Sequence, residues 1–180
     1  YTTNTSELWP HFNIIQEWVA KHGIKQATTL LEVKSLFETL KVVDNKILFF
    51  EDHYFRLLAS MRIIRMQIPM TFTLEYLESQ ILALVNRLDI QNSARVRLTV
   101  FRNEGGFYSP TDHSVSYVVQ ANALQSNCYA IEEKSFEVDL YKDFVVTKQL
   151  LSTLKTNNKI IQITGSIFAQ ENQLDSCLLI

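Results

Sequence analysis

The spacing of apolar positions changes along this chain, and the change predicts its organisation. In "LWPHFNIIQEWVAKHGI", Phe12, Ile15, Trp18 and Val19 recur at helical spacing, with Pro10 at the start and Gly23 at the end. In "LFETLKVVDNKILFF", two apolar-rich runs flank Asp44 and Asn45, the pattern of a hairpin. A helix is expected next, with Asp52 as its N-cap and Tyr54, Leu57, Leu58, Met61 and Ile64 as its apolar stripe; Pro69 is expected to stop it. A second helix, "TLEYLESQILALVNRL", carries Leu74, Leu77, Ile81, Leu84 and Leu88 on one side.

Further on, the period drops to two. "ARVRLTVF" alternates Val96, Leu98 and Val100 with Arg95, Arg97 and Thr99, so one face of this strand is polar. A turn at Gly105 and Gly106 leads to a second strand in "SVSYVVQANAL", and "KSFEVDL" and "FVVTKQ" read as two more. The last segment, "KIIQITGSIFAQENQLDSCLLI", predicts a helix with Ile160, Ile161, Thr164, Ile167 and Phe168 buried, and then an apolar strand. Helices bracketed by strands imply an α+β, or mixed α/β, class. The polar stretch "QANALQSNC" predicts a boundary between a domain at 1–122 and a second one beginning at 123–180.

Composition narrows the function classes. Of 180 residues 47% are hydrophobic and 20% charged, ordinary globular usage, and the net charge of −2 provides no footprint for nucleic acid or an anionic membrane. No apolar run approaches the roughly 20 residues of a membrane helix, and the start, "YTTNTSELWPHF", lacks the pattern of a signal peptide. Cys128 and Cys177 stand far apart, which predicts reduced, buried thiols in a cytoplasmic protein. The 4 glycines form no phosphate loop, and His11, His22, His53 and His113 have no zinc-like spacing, so no metal is expected.

Lys155 is the residue that composition does not explain. A lysine ahead of a helix is usually a solvated charge. This one lies on a connection between core elements, where a scaffold can aim a side chain, and a neutral lysine amine adds to carbonyls. Three blocks around it carry a resemblance. "LKTNNKIIQITGSIFAQENQLDSCLLI" resembles the lysine segment of the class IV aminotransferases, the pyridoxal-phosphate enzymes of fold type IV. "LFETLKVVDNKILFFEDHYFRLLASMRIIRMQIP" and "ARVRLTVFRNEGGFYSP" are similar to two earlier blocks of that family, in the same order. Together they run from about Leu36 to Ile180.

The resemblance implies a two-domain fold type IV enzyme that uses pyridoxal 5'-phosphate on an amino acid and an α-keto acid, working as a homodimer. Lys155 would be the Schiff-base lysine and would shuttle the proton at the substrate's α-carbon. Arg56, in "HYFRL", would hold the cofactor phosphate; taken by itself, a helix-surface arginine would pair with Asp52 or Glu51. Arg97 matches an arginine near the substrate carboxylate, and Phe37 a residue lining the substrate pocket. Glu38 and His53 also fall on motif positions. Relatives in this group also include 4-amino-4-deoxychorismate lyase, which releases pyruvate, so that activity and a non-catalytic relative stand as alternatives.

The chain departs from the family in four places. "LLEVKS" stands where relatives have Gly-x-Gly, and residues 1–33 do not resemble the family's N-terminal strands. Lys159 and Ile160 occupy the region where many relatives place a tyrosine, and the block with the glutamate for the cofactor's ring nitrogen is not reached by Ile180, so two expectations stand: a fragment of a longer protein, or a chain that cannot complete the site alone.

Overall fold

A computed structural model describes residues 35–103, 105, 109–131 and 133–180; the expected first helix and Gly106 lie outside them. Strand β1 (Ser35–Val43) and the short β2 (Lys46–Ile47) form the expected hairpin. Its turn uses Asp44 and Asn45 at φ 48° and 59°, both left-handed, as a two-residue turn matched to strand twist requires. Helices α1 (Phe50–Ile63) and α2 (Leu74–Arg87) follow, then strands β3 (Ser93–Arg102) and β4 (Val115–Ala123). These strands form an antiparallel sheet in the order β2-β1-β3-β4. Two-residue periodicity sends Leu36, Leu40 and Val42 of β1 and Ala94, Val96, Leu98 and Val100 of β3 to one face. Leu57, Leu58 and Met61 of α1 and Leu77, Ile81 and Val85 of α2 join them in a single core. Each such aliphatic side chain contributes about 1.5–3 kcal/mol through burial.

The remaining elements are strand β5 (Val138–Tyr141), helix α3 (Ile160–Glu171) and strand β6 (Ser176–Leu179), with a 3-10 turn at Leu150–Thr153. β5 and β6 pair in parallel, and α3 packs on them at Gly165, where a Cβ would come within 2.9 Å of Cys177 Sγ and Leu179 Cδ2. The mixed α/β class follows directly from this element order.

Several local expectations are corrected. Asp52 does not cap α1: Phe49, at φ 53°, turns the chain into the helix, and Asp52 lies inside its first turn beside the positive helix end. Pro69 does not stop that helix. It ends at Ile63 because Arg65 adopts φ 60° and the Met66 and Arg65 N–H groups donate to Met61 O (2.9 Å) and Arg62 O (3.1 Å). The buried stripe of α2 is Leu77, Ile81 and Val85, at four-residue spacing, which leaves Leu88 exposed and Leu84 partly so. "FVVTKQ" is not a strand; one bond, from Val146 N–H to Ile180 O at 2.6 Å, joins it to the end of β6. In α3 the buried residues are Gly165 and Ala169; Ile161, Thr164 and Phe168 are partly buried on that side, whereas Ile160 and Ile167 are exposed. The cysteines are free, but Cys128 is exposed and Cys177, on the side of β6 that packs on Gly165, is only partly buried.

Candidate active site

β1 has two edges of different character. β3 pairs along its full length on one side, while the other side is shared. β2 takes Val42 and Val43; the segment 155–157 takes the opposite end. There the Phe37 N–H donates to Lys155 O (2.9 Å), the Asn157 N–H donates to Ser35 O (3.1 Å), and Leu36 bridges Thr156. Leu154 is buried in the core just before them. Lys155 therefore follows a core anchor and lies along a sheet edge like a short extra strand.

Alternation along β1 decides what this edge presents. Glu38 shares the register of Leu36, Leu40 and Val42, so a carboxylate occupies an apolar position, with its side chain 3% exposed. It remains charged because cations surround it. Arg56 donates from Nε to Oε1 (2.7 Å) and from Nη2 to Oε2 (2.6 Å), and His53 Nδ1 lies 2.9 Å from Oε2. The Lys155 ammonium is 3.5 Å from the same oxygen. Burial pushes the Glu38 carboxyl up, yet the Arg56 and His53 hydrogen bonds and the Lys155 charge outweigh it and hold it below its ordinary value. The bond to Glu38 in turn raises the Arg56 guanidinium. Arg56 thus takes its partner from another element, not Asp52 or Glu51 of its own helix.

The opposite face of the sheet supplies the other half. Phe37 and Arg97 sit diagonally across the β1–β3 pair, because Arg97 is opposite Thr39 and Phe37 opposite Thr99. The Arg97 guanidinium lies 3.9 Å from the centre of the Phe37 ring, and the Lys155 amine 5.3 Å from it. Arg97 Nη2 donates to Asn157 Oδ1 (2.8 Å) and Nε to Thr99 Oγ1 (3.4 Å). Burial and the charge of Arg95 draw this guanidinium below its ordinary value. Lys155 thus stands at the seam between the two faces, and Arg56, Arg97 and Phe37 all converge on its edge.

Among the described residues, Arg56 and Lys155 share one anion, Glu38, and Arg97 on the other face has none, an excess of positive charge that suits a ligand bearing oxyanions. Pyridoxal phosphate fits that donor set, since it presents a phosphate and an aldehyde. Arg56 is 46% exposed, with Nη1 unbonded among the described residues, and Lys155 is 35% exposed, so both can be reached from solvent. Glu38 as the hub and Asn157 as a partner of Arg97 were not predicted. Glu38 left a signal, an acid in an apolar alternation; Asn157 left none. Among the described residues no group of three potential metal ligands occurs, and no helix is long and apolar enough to cross a membrane.

The profile of the family described as Amino-transferase class IV matches residues 35–180, and the chain belongs to that family. Solved structures share its fold. A putative 4-amino-4-deoxychorismate lyase from Legionella pneumophila superimposes with a TM-score of 0.71 at 15% identity, over 86% of this chain and 58% of that one. Branched-chain amino acid aminotransferase from Escherichia coli gives 0.70 at 15% identity, over 88% and 52%. The enzyme of the same name from Thermobaculum terrenum, solved in its PLP form, gives 0.69 at 22% identity, over 85% and 53%. The chain thus spans little more than half the length of these relatives. A comparison with curated protein sequences finds no match.

Proposed function

We propose that this chain carries the lysine of a pyridoxal-phosphate-dependent aminotransferase that exchanges an amino group between an amino acid and an α-keto acid. The observation that supports it best is convergence: the Lys155 amine lies 3.5 Å from the carboxylate that grips Arg56 and 5.3 Å from the ring beneath Arg97. When bound, the cofactor supplies an aldehyde that a lysine can hold and an electron sink for the substrate's α-carbon. The chain's own residues divide the remaining work. Arg56 takes the phosphate on the edge that Glu38 leaves free, and Glu38 fixes the direction of that fork. Lys155 anchors the cofactor and moves the proton at the substrate's α-carbon. Arg97 pairs with the substrate carboxylate, and Phe37 walls the pocket beside it.

The domain division near residue 122 belongs to the same proposal, as does assembly into a homodimer in the cytoplasm. The test is absorbance of the full-length protein with pyridoxal phosphate, beside assays of amino-group exchange and of pyruvate release from aminodeoxychorismate. A band near the visible edge that Lys155→Ala abolishes, with amino-group exchange, is expected. Pyruvate release instead would make the protein a lyase, and absence of the band would make it a non-catalytic relative.

A further inference from the structure

Arg97 differs from Arg56 in one respect. Arg56 has the carboxylate of Glu38 against it, whereas among the described residues no carboxylate lies within ion-pair distance of Arg97. Its hydrogen-bond partners there are a hydroxyl, Thr99 Oγ1, and an amide oxygen, Asn157 Oδ1. A guanidinium only donates, so the amide must turn its oxygen toward Arg97, and this fixes the rotamer of Asn157. The backbone of Asn157 is fixed as well, through its N–H to Ser35 O at 3.1 Å. The side chain that holds Arg97 therefore stands two residues from Lys155, on the same edge segment.

We propose that Asn157 is a positioning residue: its neutral oxygen aims the Arg97 guanidinium over Phe37 without cancelling its charge, which reserves that charge for the carboxylate of a substrate. The proposal rests on the reading of Arg97 as a carboxylate site and adds what sets the strength of that site. An aspartate at position 157 would have nearly the same shape and would neutralise Arg97 from within. An alanine would keep the charge but release the fork.

The probe is 4-methylpentanoate, a monocarboxylate without amine or keto group, titrated into the full-length protein. The readout is the Arg97 Nε–H resonance, identified by its loss in Arg97→Lys. Asn157→Asp is expected to weaken binding by about tenfold or more, the range of a lost charge-assisted bond, and Asn157→Ala by a smaller factor, about threefold. A general structural role for Asn157 would not rank Asp below Ala. Should Asn157→Asp not fold, Asn157→Ala decides. Probe affinity equal to wild type in either folded variant overturns the proposal, and so does a wild-type Arg97 resonance that ignores the probe. Failure of the aminotransferase reading is registered separately, by absence of the cofactor absorbance band, which this titration does not read.

Discussion

Replacing Glu38 by glutamine removes one negative charge and almost no volume from the point where strand β1, helix α1 and the lysine segment meet. In the native protein this carboxylate, 3% exposed, accepts two bonds from Arg56 and lies 2.9 Å from His53 and 3.5 Å from Lys155. Removing one partner of a fully buried ion pair costs about 3–5 kcal/mol. Here the partners are half in water, with Arg56 46% and Lys155 35% exposed, so they recover hydration once the charge is gone. Glutamine also keeps a carbonyl that can accept one Arg56 bond, of a kind worth about 1.5–3 kcal/mol. The net loss expected is about 2 kcal/mol. Urea unfolding of the full-length protein measures it, as a lower midpoint at unchanged slope. The pH dependence supplies a second signature. The folded-state pKa of Glu38 is depressed, so its stabilisation is complete above the ordinary value of 4.5 and is lost as pH falls below that, through the folded value. Glu38→Gln should lack this acid limb. A variant within about 0.5 kcal/mol of wild type, with the limb intact, would refute the view of Glu38 as the hub.

Two further substitutions probe the frame that carries the site. Gln173 ends α3 at φ 56°, a conformation that favours glycine, so Gln173→Gly should raise stability by about 0.5–1 kcal/mol in the same urea experiment, and a loss would contradict it. Burial and the Tyr76 hydroxyl, 3.0 Å away, push the Tyr117 phenol up from 10.0 to about 12. Its stabilisation is present below pH 10 and is lost as pH rises toward 12, and Tyr117→Phe should delete the latest phase of the tyrosinate absorbance titration.

The expectations that failed have more than one physical origin. Helices α1, α2 and α3 end on Arg65, Asp89 and Gln173 in left-handed conformation, and the N–H groups of Met66, Ile90 and Leu174 reach back to Met61, Val85 and Ala169. A glycine would have announced such ends; with 4 glycines in 180 residues, the first helix is expected to run on to Pro69, whereas the second ends at Leu88 as its stretch predicts. Helical spacing predicts a stripe of Ile160, Ile161, Thr164, Ile167 and Phe168 on α3, whereas packing buries the smallest residues, Gly165 and Ala169, which allow a close approach to β6. The strand alternations succeeded because pleating enforces a period of two whatever the neighbours are.

The sequence by itself determined the hairpin, the polar and apolar faces of β3, the core residues of α1 and the family motifs around Lys155, Arg56, Arg97 and Phe37. All of these are properties of short stretches, carried by local periodicity or residue type. Only the tertiary structure decided which charges meet. Glu38 and Arg56 are 18 residues apart in the chain, and Arg97 and Asn157 are 60 apart; each pair meets because segment 155–157 and helix α1 are packed against the same strand. Pairing of charges depends on which elements become neighbours, and no local pattern along the chain encodes that.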